Sequence, residues 1–168
     1  MPDAIRVIVG RNPTMPAISR NRSVLFRIPS DVRYVPMARK GIAAIAESMG
    51  FPNEAVKDIE LSVSEAVTNA VSHGSPRQAD NAVVIICEVT DDALTIDIRD
   101  EGHGFQPDSC LKNAESLQES GRGLTLIYSL MDYVQVAKTR KGSSVRMVKK
   151  KTSSLQNLAT ANTKCKQT

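Results

Sequence analysis

Residues 93–105, ALTIDIRDEGHGF, join an alternating segment to a carboxylate and a pair of glycines. Leu94, Ile96 and Ile98 share one parity and Thr95, Asp97 and Arg99 the other, the period of a strand with one face turned to a core. Counting on by two places Asp100 on the apolar, inward parity, where a carboxylate needs a partner. Gly102 and Gly104 follow, and glycines at that spacing permit backbone approaches that side chains forbid. Taken alone, Asp-x-Gly-x-Gly is equally an ordinary turn.

Working outward, residues 82–89 are apolar on both parities, as a central strand is, and pair with the alternating segment as a hairpin through Asp91-Asp92. A polar loop over 106–120 leads to a helix over 123–131, and strands over 134–138 and 145–149 turn at Lys141-Gly142. Upstream, a strand over 23–28 and a Pro29-Ser30-Asp31 turn precede a helix that begins near Pro36. Its stripe is Ala38, Ile42, Ile45, Ala46 and Met49, and Gly50 is its stop. A second helix, capped by Asn53 with Glu54 in its first turn, runs to His73 and closes at Gly74; its core stripe is Val56, Ile59, Val63, Ala66, Val67 and Ala70.

Helices group early and strands mostly late, which predicts an α+β fold: a two-layer sandwich of a mixed or antiparallel sheet with helices packed on one face. Residues 1–21 and 152–168 read as tails around one domain over 22–151.

The net charge of +4 hides an uneven distribution. Nine basic residues follow Val134 with no acid among them, leaving 13 basic against 18 acidic residues in the rest of the chain. That acidic body, with 4% aromatic residues, is no platform for nucleic acid. No apolar run reaches the length of a membrane span and no secretory signal opens the chain, which predicts a soluble cytoplasmic protein. Cys87, Cys110 and Cys165 show no disulfide or zinc spacing, and Cys87 sits in an apolar strand as packing. His73 reads as a complement to its helix C-terminus and His103 as a loop residue.

Two further motifs bear on chemistry. Glu65 and Asn69 stand one turn apart on one helix face, within a polar stripe that includes Asp58 and Ser62. Gly121-Arg122-Gly123-Leu124 falls where a polar loop becomes an apolar helix, a place where free N–H groups and the helix dipole suit a phosphate. There is no Gly-Lys-Ser/Thr loop, no G-x-G-x-x-G and no His-Arg-Asp segment of the protein kinases.

The ordered set SEAVTNAVSHG, DEGHGF and ESGRGLTLIYSLMDYV resembles the N, G1 and G2 boxes of the histidine-kinase-like (Bergerat) ATPases, with particular likeness to bacterial anti-sigma factor serine kinases over residues 24–150. The resemblance implies a Mg·ATP site. In it Asp100 accepts from the adenine amine, so ATP is preferred over GTP. Asn69 ligates Mg²⁺ through its amide oxygen, and Glu65 is the general base toward the attacking hydroxyl. Gly102, Gly104, Gly121, Arg122, Gly123 and Leu124 line the nucleotide, and Ser143 stands where the family has an adenine-assisting threonine. It further implies an anti-anti-sigma antagonist and a sigma factor as protein partners, a homodimer, and partner contact through Arg39. The alternative is a non-catalytic module that holds ATP and blocks a partner, against which Glu65 argues, because pure binding needs no base.

Overall fold

The computed structural model describes residues 6–11, 22–74, 81–100, 117–139 and 142–151. Six strands form one sheet in the order β1-β2-β3-β4-β6-β5, and every described pairing is antiparallel. They are β1 (Arg6–Arg11), β2 (Arg22–Pro29), β3 (Ala82–Val89), β4 (Ala93–Arg99), β5 (Tyr133–Thr139) and β6 (Gly142–Lys150). The helices are α1 (Val35–Ser48), α2 (Asn53–Asn69) and α3 (Leu117–Leu130).

A 3₁₀ turn, Val32–Tyr34, leads into α1 and is capped by Asp31, whose Oδ1 accepts the Arg33 N–H at 2.9 Å. Pro36 sits in the first turn of α1, where its missing N–H costs no bond. Gly50, at φ +77°, ends it: the Gly50 N–H donates to Glu47 O at 2.9 Å and the Phe51 N–H to Ala46 O at 3.2 Å, a left-handed cap that glycine adopts without strain. At α2 the extended N-cap is Pro52, with no side-chain hydrogen bond, and Asn53 is already helical rather than the cap expected of it.

The inward parities of the sheet and the apolar stripes of α1 and α2 form one core. Ile28, Ile42, Ile59, Ile85, Ile96, Ile98 and Ile127 are all essentially inaccessible. Each contributes on the order of 1.5–3 kcal/mol by leaving water, enough to fix which face of every element turns inward. All six residues predicted for the α2 stripe are buried, as are Leu94, Ile96 and Ile98 of β4. Cys87 is buried too, and burial pushes its thiol up to about 12, so it is packing and not a nucleophile. Cys110, Cys165 and His103 lie outside the described residues, as does the side chain of His73.

Three elements differ from the sequence reading. The segment taken for an N-terminal tail contributes β1, which pairs along β2 from Arg6 opposite Arg27 to Arg11 opposite Arg22. α3 begins at Leu117, inside the stretch read as polar loop. β6 reaches back to Gly142, which pairs with Thr139 and so belongs to the strand rather than to the turn.

A candidate nucleotide site at the strand ends

α2 carries Glu65 and Asn69 one turn apart, both half-buried. Asn69 is the last α-helical residue, and the chain then widens into a π turn, Ala70–Gly74, that lies against β6. Such wide turns recur at functional sites because they re-aim the preceding side chains. Ser62, one turn ahead of Glu65, is 0% exposed and its Oγ has no hydrogen-bond partner among the described residues.

Glu65 does not stand alone. A Cβ built on Gly123 of α3 would lie 2.0 Å from Glu65 Oε1 and 2.6 Å from its Cδ. The carboxylate therefore occupies the space that any other residue at 123 would claim. Gly123 is buried, Leu124 half-buried and Arg122 exposed. Gly121, Arg122 and Gly123 lie within α3, past its first turn, so they are not at the helix N-terminus expected for them. In an α-helix the donors left free are those of the first four residues, here Leu117 to Ser120.

The second cluster is at the end of β4. Asp100 is 7% exposed, on the inward parity predicted for it, and its partner is Ser143 at the start of β6. The Ser143 N–H donates to Asp100 Oδ1 at 3.2 Å, the Ser143 hydroxyl donates to Oδ2, and the Asp100 N–H donates to Ser143 O at 3.1 Å. A carboxylate has about four acceptor positions, and Ser143 donates to both oxygens of this one. Gly142 completes the arrangement at φ +141°, where a Cβ would meet Asp100 O at 2.0 Å and Oδ1 at 2.8 Å. Sequence reasoning placed Gly142 in a turn and missed this approach; an unforced glycine beside the residue paired to Asp100 is the signal that was there.

A third contact holds the helices to the sheet. Lys149 of β6, with its side chain 15% exposed, donates from Nζ to Asp58 Oδ2 of α2 at 2.9 Å and to Leu130 O at the end of α3 at 2.5 Å. A cation at exposed helix carbonyls complements the dipole there. Arg39 of α1 faces Glu60 of α2 at 3.9 Å, a loose pair, and its Nε is shielded without a hydrogen bond. Gly102 and Gly104 lie outside the described residues. A solvent-open depression of about 250 Å³, lined by Arg22, Met49, Asp91 and Lys151 among others, is at the opposite end of the strands and contains none of the residues singled out.

A buried carboxylate at the end of an inward strand, a glutamate and asparagine one turn apart, and glycines where a Cβ would strike each carboxylate are the groups that this antiparallel sheet and its helices present. The histidine kinase-like ATPase domain model matches residues 28–149. The serine-protein kinase RsbW of Staphylococcus epidermidis is 34% identical over 133 residues, covering 73% of this chain and 83% of that protein. The Listeria innocua serine-protein kinase RsbW is 31% identical over 135 residues, covering 75% and 85%. The chain belongs to the histidine-kinase-like ATPase domain family, within the serine-protein kinases of the RsbW type. A crystal structure of RsbU and RsbW domains from Mycobacterium tuberculosis shares the fold at TM-score 0.59 and 16% identity, over 76% of this chain and 31% of that longer one. No helix among the described residues is long and apolar enough to cross a membrane.

Proposed function

We propose that this protein is a cytoplasmic switch kinase that transfers the γ-phosphoryl group of ATP to a serine of an anti-anti-sigma antagonist, and that it otherwise sequesters a sigma factor. The observation that carries the reading is the seat of Glu65: its carboxylate fills the space beside Gly123, so the candidate base and the glycine-bearing helix meet directly.

The residues fit a magnesium nucleotide. Asp100 offers acceptors beside Ser143, suited to the exocyclic amine of adenine and mismatched to the oxygen that guanine presents there. Asn69 supplies a neutral amide oxygen, the kind of ligand a hard cation takes, and the ion, when bound, neutralises charge on the phosphates. Glu65 takes the proton of the attacking serine hydroxyl as the oxygen–phosphorus bond forms, and ADP leaves. Gly121, Arg122, Gly123 and Leu124, with Gly102 and Gly104, line the phosphates. Arg39 is the contact to protein partners, and two copies associate as a homodimer. The ATP-binding domain comprises residues 22–151 together with β1, the strand Arg6–Arg11 that pairs along β2.

Purified protein with labelled ATP, Mg²⁺ and its cognate antagonist is expected to place label on a serine. Glu65→Gln is expected to bind ATP normally and transfer at least a hundredfold more slowly, in line with the roughly 10²–10⁴ contribution of a general base. Wild-type protein that binds ATP and leaves the antagonist unlabelled would reduce the reading to a binding module.

A further inference from the structure

Ser62 is a polar residue that the proposed chemistry leaves without a task. It is 0% exposed, and its Oγ has no hydrogen-bond partner among the described residues. A buried hydroxyl in that state gives up its bonds to water and gains none in return, so the fold should be at least as stable with alanine in its place. A helix interior favours alanine as well. A polar atom kept against stability in this way calls for a use beyond the fold.

Its position on α2 shows what is within reach. Asp58 and Glu65, one turn to either side of Ser62, are each tied to α3: Asp58 through Lys149, whose Nζ also meets Leu130 O, and Glu65 directly at Gly123. The two contacts are seven residues apart on both helices, 58 to 65 and 130 to 123, so α3 runs antiparallel along this side of α2. Ser62 is then level with Leu126 and Ile127, whose side chains accept no hydrogen bond. Two carboxylates remain, one turn away in each direction. Asp58 is engaged with Lys149 at 2.9 Å, whereas no ion pair among the described residues holds Glu65. A helical side chain also leans toward the N-terminus of its own helix, which carries the Glu65 carboxylate back over the turn that holds Ser62.

We propose that Ser62 is a positioning residue for Glu65. Its hydroxyl donates to one carboxylate oxygen when Glu65 acts as base, fixing the rotamer and leaving the other oxygen to take the proton of the incoming serine. In the structure the carboxylate lies against Gly123; rotation about the Glu65 side-chain bonds closes the new contact without moving backbone. Because donor and acceptor stand on one helix, the orientation they set survives movement of α3. This role rests on the proposed function, in which Glu65 is the base.

Rate measured against stability tests it. Ser62→Ala is expected to lower kcat for antagonist phosphorylation about tenfold, the effect of losing one hydrogen bond to a charged acceptor. KM for ATP and the calorimetric ATP affinity should not change, and Tm should stay the same or rise by up to about 4 °C. Ser62→Cys, which keeps a weaker donor, should fall between the two rates. In a Glu65→Gln background, followed in single turnover, Ser62→Ala should slow transfer no further, while in an Asp58→Asn background the full tenfold should remain. A lowered Tm, with losses that add in both backgrounds, shows a structural role and overturns the assignment. Ser62→Ala at the wild-type rate, or coupling to Asp58 in place of Glu65, also overturns it and leaves the kinase reading intact. Wild-type protein that labels no serine overturns the kinase reading and the role of Ser62 with it.

Discussion

Gly123→Ala separates stability from chemistry. In the interior of a helix, alanine is favoured over glycine by about 0.5–1 kcal/mol. Against that gain stands the new methyl group, whose Cβ would lie 2.0 Å from Glu65 Oε1. The obstacle is the far end of a flexible, half-buried side chain, which can swing aside at little cost. Net stability is therefore expected to change by between ~0 and +1 kcal/mol, a shift in Tm of roughly 0 to +4 °C for a chain of this size. The carboxylate that swings away is the proposed base. Losing even the lower bound of its contribution, a factor of about 10², raises the barrier by about 2.7 kcal/mol. The assays are a thermal melt, ATP titration by calorimetry, and the initial rate of antagonist phosphorylation at saturating ATP. An unchanged rate would show that Glu65 keeps its position, or has no part in the transfer. A Tm lowered by more than about 5 °C would show that Glu65 cannot yield. Either result refutes the reasoning.

Gly142→Ala should behave oppositely. Its Cβ would meet the backbone oxygen of Asp100 at 2.0 Å at a φ of +141°, and backbone cannot swing aside; strain and overpacking together should cost roughly 2–5 kcal/mol in denaturant unfolding, and a loss below ~1 kcal/mol would show that the strand end bends freely. Ser143→Ala removes the hydroxyl donor to Asp100 but keeps the N–H donor at 3.2 Å, so ATP affinity is expected to fall about tenfold by calorimetry and not to vanish. At Asp31, the hydrogen bonds from the Arg33 side chain and then its backbone hold the carboxyl below its ordinary value of 3.8. A depressed folded value stabilises above the unfolded one and is lost as pH falls through the folded one, so the Tm gap between wild type and Asp31→Asn should be open near neutrality and close as pH falls below 3.8 through the lowered value.

Periodicity made much of the architecture legible. Alternation in β4 and apolar continuity in β3 gave strand bounds that hold to the residue, because both turn buried residues (Val83, Ile85 and Cys87; Leu94, Ile96 and Ile98) to the core. β1 was not legible: Arg6–Arg11 is short and flanked by arginines, and only pairing with β2 makes it a strand. The start of α3 was misplaced because Gly121 and Gly123 read as punctuation, whereas the helix absorbs them. In the site, parity located Asp100 correctly, since an inward carboxylate is conspicuous in sequence. Its steric neighbour Gly142, the Gly123–Glu65 apposition and the Lys149 contacts join residues far apart in the chain, which no local pattern encodes.

The ammonium of Lys149 has a mechanical consequence. By holding Leu130 O and Asp58 at once, it clamps the trailing end of α3 to the sheet and to α2. A rod clamped at one end can swing only at the other, which is the end that bears the glycines and touches Glu65. Under the proposed function, a rearrangement on nucleotide arrival is expected in the leading turns of α3 and not in β5.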